Sequence, residues 1–275
     1  MTNQPINSVP DLDFDLIHRI LLEAADKAQE TTLKYFRRTI NVENKLQSGF
    51  DPVTVADREA ELAIRAVITD HFPDHSISGE EWDNKEMNSP FRWIIDPIDG
   101  TRAFISGLPV WGTLIALTYN GRSIAGLMSQ PHIGENFIGL PNKAFLTRNN
   151  NETALQTSAI KDLSQSTIFT TSPRIFLLEK SLAAYDTLEN NVKLARYGLD
   201  CYAYAMVAAG HGELVVEEGL KSVDIAAMIP IIEQAGGIVT TWSGKQATQG
   251  GQVIAAANEK IHSAALTILS PAATD

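Results

Sequence analysis

The sequence predicts a mixed fold, in which an α+β half is followed by an α/β half. Apolar residues recur at helical spacing from residue 11 to about residue 38, which predicts a long first helix. Three β-rich runs follow at 110–118, 124–129 and 135–140, and the turn sequences between them predict an antiparallel meander. Beyond residue 150, strand-like and helix-like runs alternate, which is typical of α/β domains.

The most polar stretch in the middle of the chain, Asn149-Asn150-Asn151, marks the predicted domain boundary. We expect residues 1–150 to form an N-terminal α+β domain with most of the candidate site, and residues 151–275 a C-terminal α/β domain. Before the meander, the patterns predict a helix over 55–72 and strands at 76–79 and 92–96. The second domain is predicted to contain strands at 167–171, 192–195, 214–217, 238–241 and 253–256, and helices at 177–188, 201–209, 224–235 and from residue 258 onward.

The composition is that of a globular protein without nucleic-acid or membrane partners. Hydrophobic residues make up 44% of the 275 residues, and the net charge is −11, which disfavours polyanions and anionic lipid surfaces as partners. Cys201 is the only cysteine, so no intrachain disulfide can form. Residues 1–10 lack the apolar core of a signal peptide, and no apolar run reaches membrane-spanning length. A cytoplasmic protein is therefore expected.

The most informative segment is WIIDPIDGT at residues 93–101, in which an apolar run ends in a turn with two carboxylates. Asp96 and Asp99 offer the hard oxygen ligands that Mg²⁺ and Mn²⁺ prefer. Pro97 restricts the backbone between them, so that the two carboxylates can converge. Gly100 permits close backbone approach, and a helix that starts near Thr101 would direct N–H groups at an anion. The same residues also occur in ordinary turns, but a metal beside an anion site suits phosphate-ester chemistry.

Three further acidic residues stand at predicted strand or helix ends. Glu80 follows a short strand, Asp57 opens the second helix, and Asp224 opens a helix of the second domain. Each also has a structural explanation, because Asp57 completes a capping box with Thr54, Asp224 suits a helix N-cap, and Glu80 could be a solvated loop charge. A cluster of such acids would agree with the net acidity of the chain, since bound cations would let an acidic protein attract phosphate.

In order and spacing, these segments resemble the inositol monophosphatase family. The resemblance covers about residues 12–265 and rests on four stretches of sequence, namely DPVTVAD at 51–57, GEE at 79–81, WIIDPIDGT at 93–101 and DIAA at 224–227 followed by EQAGG at 233–237. It implies a five-layered αβαβα sandwich of the inositol monophosphatase or sugar phosphatase type. It also implies a phosphomonoesterase with two or three Mg²⁺ ions, which Mn²⁺ could replace.

The resemblance assigns roles to individual residues. Its implied metal ligands are the side chains of Glu80, Asp96, Asp99 and Asp224 and the carbonyl oxygen of Ile98. Asp57 would hold metal-bound water, and Thr101, hydrogen-bonded toward Asp57, would help to deprotonate the attacking water; with Glu80 they form the implied catalytic group. The N–H groups of Gly100 and Thr101 would bind phosphate. Lys45 matches a family lysine near the outer metal.

Three flanking segments resemble the histidinol-phosphate phosphatase branch of the family, namely TRAFISG at 101–107, WGTLIAL at 111–117 and GLDCYAY at 198–204. Asp200 stands where inositol phosphatases typically carry smaller, uncharged residues. Because histidinol phosphate carries an amine and an imidazole, Asp200 and Glu217 are candidate partners for that end, and Arg102 is a further candidate substrate contact. Asp200 could instead be a helix N-cap, Arg102 could serve a salt bridge or an interface, and Glu218 leaves the register of Glu217 open.

The expected function is Mg²⁺-dependent hydrolysis of L-histidinol phosphate to L-histidinol and phosphate, a step of histidine biosynthesis. The alternatives are a myo-inositol-1-phosphate phosphatase, a broad sugar-phosphate phosphatase and, more remotely, a non-catalytic regulator that binds metal or a phosphorylated ligand. The resemblance also implies a homodimer and leaves lithium inhibition open. The histidines are not expected to form a metal site, because Pro73 breaks any helix between His71 and His75. The other four are scattered and are expected at surface or loop positions, namely His18, His132, His211 and His262.

Overall fold

The computed structural model describes residues 12–39, 41–44, 52–149 and 151–274. The long first helix, the second helix and the C-terminal helix are present as predicted, each ending within a few residues of its expected bounds. Asp13 caps the first helix, Thr54 the second and Asn258 the last, each by accepting backbone N–H groups with its side chain. The helices are α1 (Phe14–Tyr35), α2 (Val55–His71), α3 (Thr101–Ile105), α4 (Glu179–Glu189), α5 (Cys201–Ala208), α6 (Ser222–Ile225), α7 (Met228–Gln234) and α8 (Glu259–Leu269).

A seven-stranded sheet forms the first half of the protein. A two-stranded ribbon of β1 (Val42–Asn44) and β2 (Pro52–Thr54) precedes it. The sheet strands are β3 (Ser76–Gly79), β4 (Phe91–Asp99), β5 (Gly112–Tyr119), β6 (Arg122–Gln130), β7 (Glu135–Leu140), β8 (Lys143–Arg148) and β9 (Asn151–Ala154). They lie in sequence order, with β3 parallel to β4 and all other pairs antiparallel, so the predicted meander is confirmed.

The last two strands of this sheet were not predicted. β8 and β9 are short, and β9 is exposed along its whole length, so neither shows a clear alternation of apolar and polar residues. At the predicted domain boundary, Asn149 follows β8 and Asn151 begins β9, so the chain leaves the first sheet only after Ala154.

A five-stranded mixed sheet forms the second half. Its strands are β10 (Thr167–Thr170), β11 (Leu194–Tyr197), β12 (Leu214–Leu220), β13 (Ile238–Thr241) and β14 (Gly251–Ala256). The order is β11-β10-β12-β14-β13, in which β10 runs parallel to β11 and β12 while β14 runs antiparallel to both of its neighbours. The carboxyl ends of β10, β11 and β12 therefore meet at one edge, where open α/β sheets commonly bind ligands.

The helices and sheets stack in five layers, which confirms the αβαβα sandwich. Helices α1 and α2 bury their apolar faces with Trp93 and Ile95 on one face of the first sheet. The neighbouring strand residue Ile94 points to the opposite face and joins the core beneath α5 and α7. Beyond the second sheet, α4 and α8 bury Tyr185 and Ile261 in a third cluster.

The central layer lies very close to the first sheet because glycines line the contact. A side chain at Gly126 would overlap the carbonyl oxygen of Ala227, and one at Gly139 would overlap the backbone at Ile231. Glycine is therefore the residue that allows α7 to approach β6 and β7 at backbone distance. This close contact fixes the helix that follows Asp224 relative to the first sheet.

One predicted helix, over 224–235, is broken into α6 and α7. Pro230 explains the break, because it has no N–H group to donate to the carbonyl oxygen of Ala226. None of the helices in the described part of the chain is long and apolar enough to cross a membrane.

Candidate active site

The first wall of the site is built by a β-bulge in β4. Residues three apart in a regular strand point to opposite faces of the sheet, so Asp96 and Asp99 would normally diverge. Here Asp96 pairs with Leu114 and Asp99 with Gly112, so that two residues of β4 lie opposite Thr113 alone. The Thr113 hydroxyl donates to the Pro97 carbonyl oxygen at 2.8 Å and holds the bulge. The extra residue turns both carboxylates into one cavity.

Asp224 joins these two carboxylates from the second half of the chain. Oxygen atoms of Asp96, Asp99 and Asp224 lie within 4.8 Å of one another. Asp224 reaches this position from the first turn of α6, where its Oδ2 accepts the backbone N–H of Lys221 at 2.7 Å. Burial raises the pKa of Asp96 well above its usual value, and the neighbouring carboxylates, Glu80 first among them, raise it further. Burial, with the charges of Asp200 and Asp224, also raises the pKa of Asp99.

A divalent cation fits this cluster. Three carboxylates within one another's reach repel each other in a buried place, and a cation would both neutralise them and accept their oxygens as ligands. All the donors are hard oxygens, which suit Mg²⁺, Mn²⁺ or Ca²⁺ rather than a softer metal. The Ile98 carbonyl oxygen, which accepts the Thr101 hydroxyl at 3.1 Å, adds an oxygen beside the cluster.

Glu80 follows β3 and lines the same cavity. The loop that contains Glu80 is supported by Glu61, a buried carboxylate that was not predicted from the sequence. Glu61 is fully buried, accepts the backbone N–H of Glu81 at 2.7 Å and pairs with Arg65 at 2.7 Å. A side chain at Gly79 would overlap the Glu61 carboxylate, so glycine is needed there. The Glu80 side chain itself forms an ion pair with Lys221 at 3.1 Å.

Asp57 and Thr101 face each other on the wall nearest α2. The predicted capping box is present, because Asp57 Oδ2 accepts both the backbone N–H and the hydroxyl of Thr54, at 2.8 and 2.6 Å. The other oxygen, Oδ1, lies 3.4 Å from the Thr101 hydroxyl. Capping and pairing with Thr101 therefore use different oxygens of one carboxylate that is only 1% exposed.

Gly100 and Thr101 form the turn from β4 into the short helix α3. Gly100 has a φ of +81°, a left-handed conformation that glycine adopts without strain, and α3 begins at Thr101 as predicted. Arg102 lies in the first turn of α3 and also lines the cavity.

The cavity has a volume of about 300 Å³ and lies between the two sheets. Every site residue that the sequence predicted within the described part of the chain lines it, apart from Asp57, which lies behind Thr101. Its acidic lining residues are Glu80, Asp96, Asp99, Asp200, Glu217, Glu218 and Asp224. Lys45 lies outside the described residues.

The second wall also depends on a β-bulge, in β12. Glu217 pairs with Val253 and Leu220 with Gly251, so the strand shifts register at the point where it meets the cavity. Glu217 and Glu218 both line the cavity as a result. Glu218 accepts hydrogen bonds from Ser181 and Gln252, both at 3.3 Å, which fix it on the side of α4.

Glu217 is held by protein donors. It accepts the Thr171 backbone N–H at 2.8 Å and the Tyr204 hydroxyl at 3.1 Å, and it is 3% exposed. Burial raises the pKa of Glu217 to about 7, although both hydrogen bonds oppose this shift. Thr171 and Tyr204 were missed by sequence reasoning, because only the packing of β10 and α5 against β12 brings them here.

Asp200 connects the two walls, and it is not the side-chain cap of α5. The first residue of that helix, Cys201, instead donates its backbone N–H to Asp99 Oδ2 at 2.6 Å. Asp200 has a φ of +47° and lies against Gly100, with its Oδ1 3.5 Å from the Thr171 hydroxyl. Burial raises the pKa of Asp200, while the charge of Arg102 opposes the rise. A strained backbone and a buried carboxylate together indicate a functional position.

Comparison with known proteins identifies the family to which the chain belongs. The model of the inositol monophosphatase family matches residues 13–272. The chain is 39% identical to the bifunctional phosphatase IMPL2 of Arabidopsis thaliana, over 98% of this chain and 79% of the relative. It is also 39% identical to the histidinol-phosphatase of Chlorobaculum parvum, over 87% of this chain and 91% of the relative. A Nus factor SuhB of Pasteurella multocida is 32% identical, over 86% and 90% of the two chains.

Solved structures of similar fold include an inositol monophosphatase from Zymomonas mobilis. It superposes with a TM-score of 0.82 at 34% identity and covers 94% of this chain and 99% of its own. The layered architecture and its connections are therefore shared over nearly the whole chain.

Proposed function

The chain belongs to the inositol monophosphatase family and is a phosphoric monoester hydrolase, and we propose that it hydrolyses L-histidinol phosphate to L-histidinol and phosphate. We also propose that it depends on Mg²⁺, acts as a cytoplasmic homodimer and serves histidine biosynthesis. The observation that carries the proposed substrate is the second acidic wall of the cavity, which lies apart from the three clustered aspartates.

The cluster of aspartates supports a mechanism in which water, rather than a protein side chain, attacks the phosphate ester. We assign the metal ligands to Asp96, Asp99, Asp224 and Glu80 with the Ile98 carbonyl oxygen. When bound, Mg²⁺ supplies positive charge that lowers the pKa of a coordinated water and stabilises the leaving oxygen. Cys201 is an unsuitable nucleophile, because burial and the charge of Asp99 raise the pKa of its thiol.

Thr101 and Asp57 handle the proton of the attacking water. The Thr101 oxygen accepts this proton while its own hydroxyl proton moves toward Asp57 Oδ1, 3.4 Å away. Asp57 keeps its orientation throughout, since Thr54 binds its other oxygen through two hydrogen bonds. We assign phosphate binding to the N–H groups of Gly100 and Thr101, and this assignment is supported by the position of both residues in the cavity lining at the turn into α3.

The second wall holds the part of the substrate that carries no phosphate. Asp200 and Glu217 offer carboxylates to the ammonium and imidazole groups of histidinol, with which they form charge-assisted hydrogen bonds. Arg102, across from Asp200, favours its ionised form, which is the form that binds a cation. An uncharged polyol would gain less from this wall, because it carries no positive charge for the carboxylates to pair with.

The test is phosphate release from L-histidinol phosphate and from inositol 1-phosphate, measured side by side with and without Mg²⁺. We expect a Mg²⁺-dependent preference for histidinol phosphate that is lost in the Asp99→Asn variant. A preference for the inositol ester would retain the metal chemistry and contradict the proposed role of Asp200. Release from neither ester would contradict the proposed substrate and favour another ligand or the regulatory alternative.

A further inference from the structure

A lysine at the edge of the cavity is paired with a proposed metal ligand. Lys221 Nζ lies 3.1 Å from Glu80 Oε1, and this ion pair joins the loop after β12 to the end of β3. The Glu80 side chain is only 15% exposed, whereas that of Lys221 is 59% exposed. The backbone N–H of Lys221 donates separately to Asp224, so the residue contacts two of the proposed ligands in different ways.

We propose that Lys221 is a built-in counter-cation of Glu80, which a divalent metal ion must displace from this carboxylate in order to bind. The proposal rests on the metal chemistry of the proposed function. Lys221 thereby sets the affinity of the site for its metal, and it holds Glu80 toward the cavity while no metal is bound. It is a positioning residue, since it acts through Glu80 and not on the substrate.

The argument is one of competition between cations for one anion. The ammonium group engages Oε1 of a carboxylate that is mostly shielded from water, so the attraction is screened less than in an exposed pair. A metal ion that binds Glu80 must replace the attraction between Glu80 and Lys221. A lysine that stayed in place would also repel the dication across a distance of a few ångströms. Both effects lower the affinity for metal relative to a chain without this charge.

The structure offers the displaced side chain another place. Beside the cavity lies a second, polar cleft of about 680 Å³, which shares Glu80 and Lys221 as its boundary. Its wall next to Lys221 includes Ser222, Thr248 and Gln249, whose hydroxyl and amide oxygens can solvate an ammonium group. Rotation of one flexible, largely exposed side chain therefore suffices to release Glu80 without movement of the backbone that supports Asp224.

The experiment measures metal binding by the full-length chain after removal of bound metal with EDTA. The affinities for Mn²⁺ and Mg²⁺ alone are determined by electron paramagnetic resonance of free Mn²⁺ and by calorimetry. We expect Lys221→Met to bind both ions roughly fivefold more tightly than the wild type, because a partly buried ion pair is removed. Lys221→Arg, which keeps the charge, should remain within about twofold of the wild type.

Two further variants separate this mechanism from a general charge effect. Lys193→Met removes the same charge from an exposed position just before β11, beside Ser166 and at the other end of the strand from Thr171, and it should leave metal affinity unchanged. In a Glu80→Gln background, the addition of Lys221→Met should raise the affinity by a smaller factor than in the wild-type background, because the competition for the carboxylate is absent and only the direct repulsion of the metal remains. An equal increase in metal affinity in the Glu80→Gln background would contradict the proposal that Lys221 acts through Glu80.

The remaining outcomes also decide the question. Weaker metal binding in Lys221→Met would overturn the competition and indicate that the ion pair persists with metal bound. Unchanged binding in a folded variant, checked by its thermal transition without metal, would overturn it as well. If the wild type itself binds neither Mn²⁺ nor Mg²⁺, the metal chemistry of the proposed function fails first, and the two failures are thus distinguishable.

Discussion

The bulge in β4 and the bulge in β12 both turn carboxylates into the cavity, but they leave those carboxylates in different electrostatic states. On β4, Asp96 and Asp99 face each other and Asp224, and this mutual repulsion adds to the effect of burial on the pKa of Asp96. On β12, burial is again the largest cause of the raised pKa of Glu217, but hydrogen bonds from Thr171 and Tyr204 oppose the rise.

This difference suits the first wall to metal-dependent hydrolysis and the second wall to recognition of the substrate. On the β4 wall, Asp96, Asp99 and Asp224 each accept a backbone N–H, but their carboxylates lie within 4.8 Å of one another, so a cation would favour their joint ionisation. The β12 wall is balanced largely by hydrogen bonds within the protein, so it can exist without a ligand. We therefore expect substitutions on the first wall to remove turnover, and substitutions on the second wall to change substrate preference or stability.

The largest expected effect is that of Asp99→Asn on the first wall. Asparagine can still accept the N–H of Cys201, so the start of α5 should be preserved while one negative charge of the cluster is lost. We expect kcat to fall on the order of a thousandfold and Mn²⁺ binding to weaken. Asp70→Asn, an exposed position at the end of α2, is the matched control and should behave as wild type. Activity within tenfold of the wild type would contradict the assignment.

The next effect is the change of folding stability with pH that the ionisation of Glu217 should cause. Because its pKa is raised from 4.5 to about 7, the folded protein keeps a proton that the unfolded chain has lost in this range. The free energy of unfolding therefore falls as the pH rises from about 4.5 through about 7. The difference between these two pKa values corresponds to roughly 3 kcal/mol.

Urea unfolding in EDTA at pH 5 and pH 8 tests this prediction. Between these pH values, Glu217→Gln should lose less stability than the wild type, by up to roughly 3 kcal/mol. Glu152→Gln, on the exposed strand β9, should keep the wild-type dependence. Identical slopes for Glu217→Gln and the wild type would show that ionisation of Glu217 is not linked to folding.

A smaller effect on the first wall is expected from Thr101→Ala. The variant lacks the hydroxyl between Ile98 and Asp57 but retains every proposed metal ligand. Turnover should fall roughly a hundredfold, the usual range for loss of a proton-transfer group, while Mn²⁺ affinity stays the same. Thr101→Ser keeps the hydroxyl and should restore most of the turnover. Unchanged turnover in Thr101→Ala would remove this residue from the proposed proton path.

Much of the fold follows from local patterns in the sequence. The helix α1 shows apolar residues at helical spacing behind the cap Asp13, and β7 was predicted with its observed bounds. The turn at Gly100 and the start of α3 also follow from local chemistry, because glycine permits the left-handed conformation that the turn adopts. The five layers came from the resemblance to a family, not from periodicity.

Other features depend on contacts that are distant in sequence. The local sequence does not mark Glu61 as buried, because the backbone N–H that it accepts belongs to Glu81, 20 residues further along the chain. His262 was expected at the surface or in a loop, but it is buried. The surroundings of His75 were not predicted; its ring is stacked between Phe72 and Phe91, and its Nδ1 lies 3.1 Å from the indole nitrogen of Trp93. Such placements are decided by tertiary packing, which residue type and spacing do not encode.

The two bulges show the same limit at the site itself. The alternation of a regular strand would place Asp96 and Asp99 on opposite faces, and only the register between β4 and β5 reverses this. The side chain of Asp200 offered two local interpretations. The structure contradicts one of them, the side-chain cap of α5, because the Cys201 N–H is instead accepted by Asp99, 102 residues away along the chain.

The smallest expected effect is that of Asp200→Asn on the choice of substrate. Asparagine tolerates the positive φ of this position, so the substitution changes the charge of the second wall and little else. We expect kcat/KM for L-histidinol phosphate to fall roughly tenfold, because one charge-assisted hydrogen bond to a cationic group is replaced by a neutral one. The value for inositol 1-phosphate should stay within about twofold, since a neutral polyol does not depend on this charge.

The ratio of the two kcat/KM values is the deciding quantity, because a general disturbance of the cavity would lower both. Asp70→Asn serves again as the control for loss of a carboxylate far from the cavity. If both values fell together, Asp200 would belong with the first wall, as a support for Gly100 and the phosphate end. A fall for histidinol phosphate alone would instead divide the cavity between a metal wall that performs the hydrolysis and a second wall that selects a cationic substrate.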